Sequence, residues 1–96
     1  MTRRTPAFCE AIAARVQLRV RYGGKERVIE PYCHGTDKKG NDVLRAFQVS
    51  SSDREVGWRL FHTAKMEHVE PTDGSFAGDR ADYNPDDSQM RVHCCI

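Results

Sequence analysis

The sequence predicts a mainly β protein, a small five-stranded barrel from roughly Val16 to Val69, with a short helix before it and an extension after it. Three observations support this fold class. Apolar and polar residues alternate from Val16 to Tyr22, as in a strand with one buried face. Four more short apolar segments follow, and short strands separated by turn residues are typical of barrels. A chain of 96 residues also has material for only one small core.

A short helix is predicted ahead of the first strand. Thr5, which is followed by proline, is suited to a helix start because its hydroxyl can accept a hydrogen bond from a free N–H. Phe8, Ala11 and Ile12 then recur at helical spacing. The pattern predicts an amphipathic helix that ends at about Arg15 and covers one end of the barrel.

The five strands are separated by residues that favour turns. Gly23 and Gly24 permit the positive φ angles of a tight hairpin after the first strand. Pro31 has no N–H for a ladder, so it predicts an edge or a bulge in the second strand. Polar residues at 37–41 and 50–54 bound the third strand. The predicted strands are Val16–Tyr22, Arg27–His34, Val43–Val49, Val56–His62 and Met66–Val69.

The composition changes beyond Pro71, which divides the chain into a barrel with its helix, residues 1–72, and an acidic extension, residues 73–96. The first 65 residues hold thirteen Lys and Arg against seven Asp and Glu, whereas the last 31 hold two against seven. A basic surface attracts polyanions, and the acidic extension either stays solvated or folds over that surface. The apolar residues of Met90–Ile96 suggest that the chain returns there as a strand.

The cysteines form an even set of four: Cys9, Cys33, Cys94 and Cys95. The N-terminal residues lack the apolar stretch of a signal peptide, so we expect a cytoplasmic protein with reduced thiols. No apolar run approaches the roughly 18 residues of a membrane span, so no membrane partner is expected.

A zinc site is an alternative use of the thiols if the end of the chain returns to the second strand. Cys33 and His34 would then meet the run 93–95, which contains one histidine and two cysteines. Adjacent ligands converge poorly on one tetrahedral ion, however. The sequence therefore predicts no metal site and no cofactor.

Four motifs occur in an order that is similar to a known family. They are Leu18–Tyr22, Arg27–Pro31, Gly40 with Val43–Phe47, and Trp58–Met66. Together they resemble the WYL domain, a bacterial Sm/SH3-like barrel usually found behind a winged DNA-binding domain in transcriptional regulators. The resemblance covers about Phe8 to Pro71, and of the three residues that name the family only the leucine, Leu44, is retained. It implies a Sm/SH3-like barrel that senses a ligand, in some members single-stranded nucleic acid.

Basic residues at the fourth strand are the first candidate binding site. Arg59, His62 and Lys65 match basic positions of that family's fourth strand and the turn after it, and they lie within seven residues. Arginine offers a planar fork of donors and lysine a point charge, so the three suit one anion. In a regular strand Arg59 and His62 face opposite ways, so a bulge or a turn at His62 would be needed. The alternative is a solvated basic edge.

A second group of candidates lies on neighbouring strands. Arg19, Arg21 and Arg45 are expected to point outward, flanked by Tyr32 and His34. A positive groove with aromatic platforms suits single-stranded nucleic acid, where each stacked base contributes roughly 1–3 kcal/mol. Tyr32 is the candidate platform, because the other aromatic residues of the strands fall on apolar faces.

The sequence contains no recognisable catalytic set. A histidine is placed beside a possible nucleophile only by adjacency, and adjacent strand residues point apart. We therefore expect a ligand-sensing or regulatory binding module, not an enzyme, that recognises an anionic ligand such as single-stranded nucleic acid or a nucleotide. The alternative is a protein interaction or assembly module, in which an uncovered strand edge pairs with a protein partner or a second copy.

Overall fold

The computed structural model describes residues 4–51 and 55–96 and shows a mainly β protein. One helix, α1 (Arg4–Ala14), precedes six antiparallel strands. The strands are β1 (Val16–Tyr22), β2 (Lys25–Thr36), β3 (Asp42–Ser51), β4 (Gly57–His62), β5 (Met66–Ser75) and β6 (Arg91–Cys95), with a 3₁₀ turn at Thr63–Lys65. The predicted mainly β class is confirmed. Within the described residues, no helix is long and apolar enough to cross a membrane.

The long strand β2 organises the sheet, in which the neighbours run β4, β3, β2, β1 and β5. One edge of β2 pairs with β3. The other edge pairs with β1 up to Ile29 and then with β6 from Cys33 onward. Pro31, which has no N–H for a ladder, lies between these two ladders, and the register towards β3 shifts beside it. The sequence prediction of an edge or a bulge at Pro31 agrees with this shift.

The sheet curls until β1 and β4 meet, although two strands separate them. The rings of Tyr22 and Phe61 lie edge to face with centroids 4.9 Å apart. The backbone N–H of His62 donates to the Tyr22 hydroxyl over 3.1 Å. Among the described residues no ladder joins β4 to β5, so the sheet is not closed and the predicted barrel is not confirmed.

The helix α1 packs against one side of the sheet, which we call the inner face. Leu18 and Val20 are buried there, whereas Arg19 and Arg21 are exposed, as the alternation predicted. Full burial of an aliphatic or aromatic side chain contributes roughly 1.5–3 kcal/mol. The inner core consists of Phe8, Ala11, Ile12, Leu18, Val20, Ile29, Leu44, Ala46, Phe61 and Met66.

The opposite side of β2, β3 and β4, which we call the outer face, is covered by the segment 76–90. Arg80 of this segment donates to the Glu30 carboxylate over 2.8 and 3.1 Å, and its guanidinium lies 4.0 Å from the Phe47 ring centroid. The Trp58 indole donates to the backbone carbonyl of Ala81 over 3.0 Å. A second, smaller core forms beneath the segment from Cys33, Val43 and Met90, with Leu60, Tyr83 and Cys95 against it.

β5 and β6 differ most from the sequence prediction, whereas the ends of β2, β3 and β4 differ by one or two residues. β5 continues to Ser75, past the predicted end at Val69, because it keeps pairing with β1: Leu18 lies opposite Pro71, and Val16 opposite Ser75. It thereby crosses the position at which the extension was predicted to begin. β6 forms in the stretch for which a returning strand was suggested, so the sheet has six strands where five were predicted.

The four cysteines are paired, which corrects the expectation of reduced thiols. Cys9 is bonded to Cys94 and Cys33 to Cys95. Successive side chains of a strand point to opposite faces, so Cys94 meets the helix on the inner face and Cys95 meets Cys33 on the outer face. Cys33 lies directly opposite Cys95 in the β2–β6 ladder. The sequence suggested a returning strand at Met90–Ile96, and the structure shows that its pairing with β2 brings Cys95 opposite Cys33.

Candidate anion-binding site

A cleft of about 480 Å³ opens where the β2–β3 turn meets the end of β4 and the residues before β6. Its lining contains Lys38, Lys39 and His62, three side chains that carry or can gain positive charge. His62 is the one predicted site residue that lines this cleft. The full lining is Asp37, Lys38, Lys39, Asn41, Leu60, His62, Ser88 and Gln89.

The turn that carries the two lysines is built around Asp37. The Asp37 carboxylate accepts from the backbone N–H groups of Lys39 and Asn41, over 2.9 and 2.8 Å, and from the Asn41 amide over 3.0 Å. Gly40 has a positive φ of 85°, which closes the turn. The side-chain and backbone hydrogen bonds from Asn41 lower the pKa of Asp37. The carboxylate is thus used by its own turn, while Lys38 and Lys39 are exposed.

Arg45 lies beside the cleft but is bound to the chain's own acidic segment. Its guanidinium donates to the Asp87 carboxylate over 2.7 and 3.5 Å and to the Gln89 amide oxygen over 2.6 Å. Burial raises the pKa of Asp87, but the hydrogen bonds from Arg45 and from the Gln89 backbone outweigh it, so the net shift of that pKa is downward. Arg45 therefore stabilises the cleft wall.

Arg59 and Lys65 do not line the cleft with His62. The β3–β4 register is continuous, with Ala46 opposite Arg59 and Val43 opposite His62, so Arg59 and His62 point to opposite faces. Arg59 instead pairs with Glu55 over 3.3 Å. Lys65 is exposed on the 3₁₀ turn. β4 has no bulge, and although a 3₁₀ turn begins directly after His62, Arg59 and Lys65 are not among the residues that line the cleft.

Arg21 lies on a different part of the molecule. It pairs with Glu67 of β5 over 3.5 Å, and Arg19 pairs in the same way with Glu70 over 3.3 Å. All four side chains are about half exposed or more, so these pairs contribute little to stability. The β1–β5 surface therefore carries alternating charges of both signs.

Tyr32 and His34 lie in the interior, where the sequence had placed them beside surface arginines. Both are fully buried, because β2 is covered by α1 on one face and by the segment 76–90 on the other. The Tyr32 ring contacts those of Trp58, Phe76 and Tyr83, and burial raises its pKa. Neither side chain offers a stacking platform to a ligand.

Lys38 and Lys39 are the residues that sequence reasoning missed, since it treated them only as part of a polar turn. Two consecutive lysines in a hairpin turn were the available signal.

A second concavity, of about 390 Å³, lies between α1 and β5 and is mostly apolar, with Phe8, Leu18 and Val69 in its lining.

Comparisons with family models, with curated proteins and with solved structures give no match. The resemblance to the WYL domain therefore stays an expectation.

Proposed function

We propose that this protein is a ligand-sensing binding module that recognises a phosphate-bearing anion of nucleotide size in the cleft beside the β2–β3 turn. The observation that carries the proposal is the charge arrangement of the cleft. Lys38, Lys39 and His62 all line it, while the carboxylate of Asp37 is hydrogen-bonded within its own turn.

The chemistry of the lining favours a phosphate group. Lysine ammonium groups are point charges that bind phosphate, and Asn41, Ser88 and Gln89 add neutral hydrogen-bonding groups. The volume of about 480 Å³ falls within the roughly 300–1,000 Å³ range of small-molecule sites.

The same lining favours a nucleotide over a single strand of nucleic acid. Binding to a strand usually combines a basic groove with aromatic rings on which bases stack. The cleft offers Leu60 as its large apolar side chain and no aromatic residue except the imidazole of His62. A single phosphate-bearing ligand needs no row of stacking platforms.

We also propose that the curled sheet is an opened Sm/SH3-like barrel of the kind that the WYL resemblance implies. The contacts of Tyr22 with Phe61 and His62 support this, because they bring β1 and β4 together across the sheet. A regulatory role, with the bound anion as the signal, follows from the resemblance.

Fluorescence anisotropy with a labelled adenosine triphosphate tests the proposal. We expect saturable binding that weakens between about 50 and 200 mM salt, since phosphate contacts release counterions. The double variant Lys38→Ala with Lys39→Ala should bind at least about tenfold more weakly, which corresponds to about 1.4 kcal/mol. The matched control is Arg19→Ala with Arg21→Ala, which removes the same charge from the β1–β5 surface and should change the affinity less than about twofold.

Two results would contradict the proposal. Equal weakening in both double variants would mean that only net charge matters. Absence of binding at low salt would remove the nucleotide ligand altogether. A labelled oligonucleotide that binds at least tenfold more tightly than the nucleotide would favour single-stranded nucleic acid as the ligand.

A further inference from the structure

Three potential metal ligands meet beneath α1, on the inner face. The sulfur atoms of Cys9 and Cys94 and a ring nitrogen of His34 all lie within 4.8 Å of one another. They come from α1, β6 and β2, so the packing of the helix on the sheet and the return of β6 bring them together. In the part of the chain that the structure describes, this is the one cluster of three such ligands.

His34 has one ring nitrogen in use and one without a partner. Its Nε2 lies 2.8 Å from the Asp42 carboxylate, which also accepts from the Thr63 hydroxyl. A carboxylate accepts hydrogen bonds, so it holds a proton on Nε2, and in an imidazole with that proton alone the lone pair is on Nδ1. Nδ1 is buried without a hydrogen-bond partner, and His34 is 0% exposed.

An unpartnered polar atom in a protein interior costs free energy, so it needs an explanation. The surroundings of His34 offer two kinds of neighbour. The ring of Phe8, which lies 5.3 Å from the His34 ring, is apolar, whereas Cys9 and Cys94 carry sulfur atoms that can share a metal ion with a histidine. A carboxylate that orients a histidine whose other nitrogen is free is the arrangement found behind zinc-binding histidines.

In the structure the two sulfurs are joined to each other and cannot bind a metal as thiolates. Two electrons and two protons, supplied by a dithiol that itself becomes a disulfide, convert the bond into two thiols. The Cys9 and Cys94 thiols then lie beside the imidazole of His34, whose Nδ1 has no hydrogen-bond partner. A metal ion that binds them displaces the two thiol protons.

We propose that reduction of the Cys9–Cys94 disulfide creates a Zn²⁺ site made of the two thiolates and His34 Nδ1. Zinc prefers this set of soft sulfur and imidazole ligands, and a water molecule can complete a tetrahedron of three protein ligands. Bond lengths of about 2.3 Å to sulfur and 2.0 Å to nitrogen put tetrahedral ligand atoms about 3.5–3.8 Å apart. The present limit of 4.8 Å therefore leaves about 1 Å to be closed, and the two sulfurs must separate.

The redox state controls this site because the two sulfur atoms either bind the metal ion as thiolates or bind each other as a disulfide. Hydrogen peroxide with two protons converts the two zinc-bound thiolates into the disulfide, two water molecules and free Zn²⁺. In a reducing compartment, such as the predicted cytoplasm, the zinc form is favoured.

Cobalt titration of the full chain under anaerobic conditions tests the proposal, with Co²⁺ as a coloured substitute for Zn²⁺. The chain is first reduced with a phosphine, which becomes the phosphine oxide by taking oxygen from water as the disulfide gains two hydrogens. We expect one equivalent of Co²⁺ with a thiolate charge-transfer band and strong tetrahedral d–d bands, both lost on addition of one equivalent of Zn²⁺. The oxidised chain should bind none.

Two matched variants locate the site. Cys33→Ser with Cys95→Ser removes the other thiol pair, which is also open in the reduced chain, and should retain one equivalent with the same spectrum. Cys9→Ser with Cys94→Ser should lose both the charge-transfer band and the binding. Asp42→Asn keeps all three ligands but weakens the orientation of His34, so we expect about a 10–100-fold lower affinity.

The proposal is overturned if the reduced chain binds no Co²⁺, or if the Cys33 and Cys95 variant loses the ion. It is also overturned if Asp42→Asn leaves the affinity unchanged. Far-ultraviolet circular dichroism of each reduced variant shows whether the chain is folded. If the double variant at Cys9 and Cys94 is unfolded, two other variants decide the question. They are the double variant at Cys33 and Cys95 and the single variant Asp42→Asn.

Discussion

Asp87 and Arg45 show how one ion pair can define the wall of a binding site. The Asp87 side chain is only 8% exposed, and a carboxylate so far from water requires a partner. Arg45 supplies one through two of its nitrogens and extends the contact to Gln89, which lines the cleft. The predicted ligand-binding role of Arg45 is thus replaced in our proposal by a positioning role.

Asp87→Asn should lower the free energy of unfolding by about 1–3 kcal/mol, because it leaves the guanidinium of Arg45 without a charged partner. Urea unfolding at pH 7 measures this. Asp86→Asn is the matched control, because Asp86 is exposed and the ion pair with Arg45 is made by Asp87. This substitution should change the free energy of unfolding by less than about 0.5 kcal/mol.

The effect of Asp87 should also depend on pH. Its folded-state pKa lies below the ordinary value of 3.8, so its contribution is fully present above that value and is lost as the pH falls through the folded-state pKa. The stability difference between the wild type and Asp87→Asn should therefore be constant from pH 7 to about 5 and shrink below about 4. A difference that grows in acid would contradict this assignment.

At the scale of elements, β6 is the strand on which the two cores depend. It is only five residues long, yet Cys94 binds it to α1 on the inner face and Cys95 binds it to β2 on the outer face. Arg80 and Glu30 hold the preceding segment to the sheet. The C-terminal extension is therefore part of the folded core.

Loss of either disulfide should destabilise the oxidised chain by a similar amount. The bonds span 85 and 62 residues, and in the chain-entropy model each contributes about 4 kcal/mol with only a weak dependence on loop length. Urea unfolding without reductant measures the contribution of each disulfide to the free energy of unfolding. The two variants compared with the wild type are Cys9→Ser with Cys94→Ser and Cys33→Ser with Cys95→Ser. Identical midpoints for the wild type and both variants would mean that the bonds do not constrain the unfolded chain.

At the scale of the whole molecule, the local parts of the fold could be predicted from the sequence. Period-two alternation located β1 with its correct bounds, the paired glycines located the first turn, and Pro31 indicated the place where the β2–β3 register shifts. Helical spacing identified the face of α1 that packs on the sheet. Each of these signals lies within a few residues of the structure that it specifies.

The parts that failed depend on pairings between distant residues. Pro71 is compatible with a strand end, and only pairing with β1 shows that β5 continues to Ser75. The cysteines meet because β6 returns to β2, and no local pattern indicates which thiols then face each other. The segment 76–90 that leads to β6 covers Tyr32 and places Gln89 in the same cleft lining as the lysines of the turn. The cleft is therefore a product of long-range topology.

Chemical-shift mapping of the backbone amides during titration of the full oxidised chain with adenosine triphosphate tests the central claim most directly. We predict the largest shifts at residues 37–41, 60–62 and 88–89, which surround the cleft. Shifts confined to β1 and β5 would mean that the exposed arginines bind the nucleotide and would contradict the proposed site. A third result would favour assembly through the apolar concavity over ligand sensing. In that case the nucleotide leaves the spectrum unchanged, while a higher protein concentration broadens the resonances of α1 and β5.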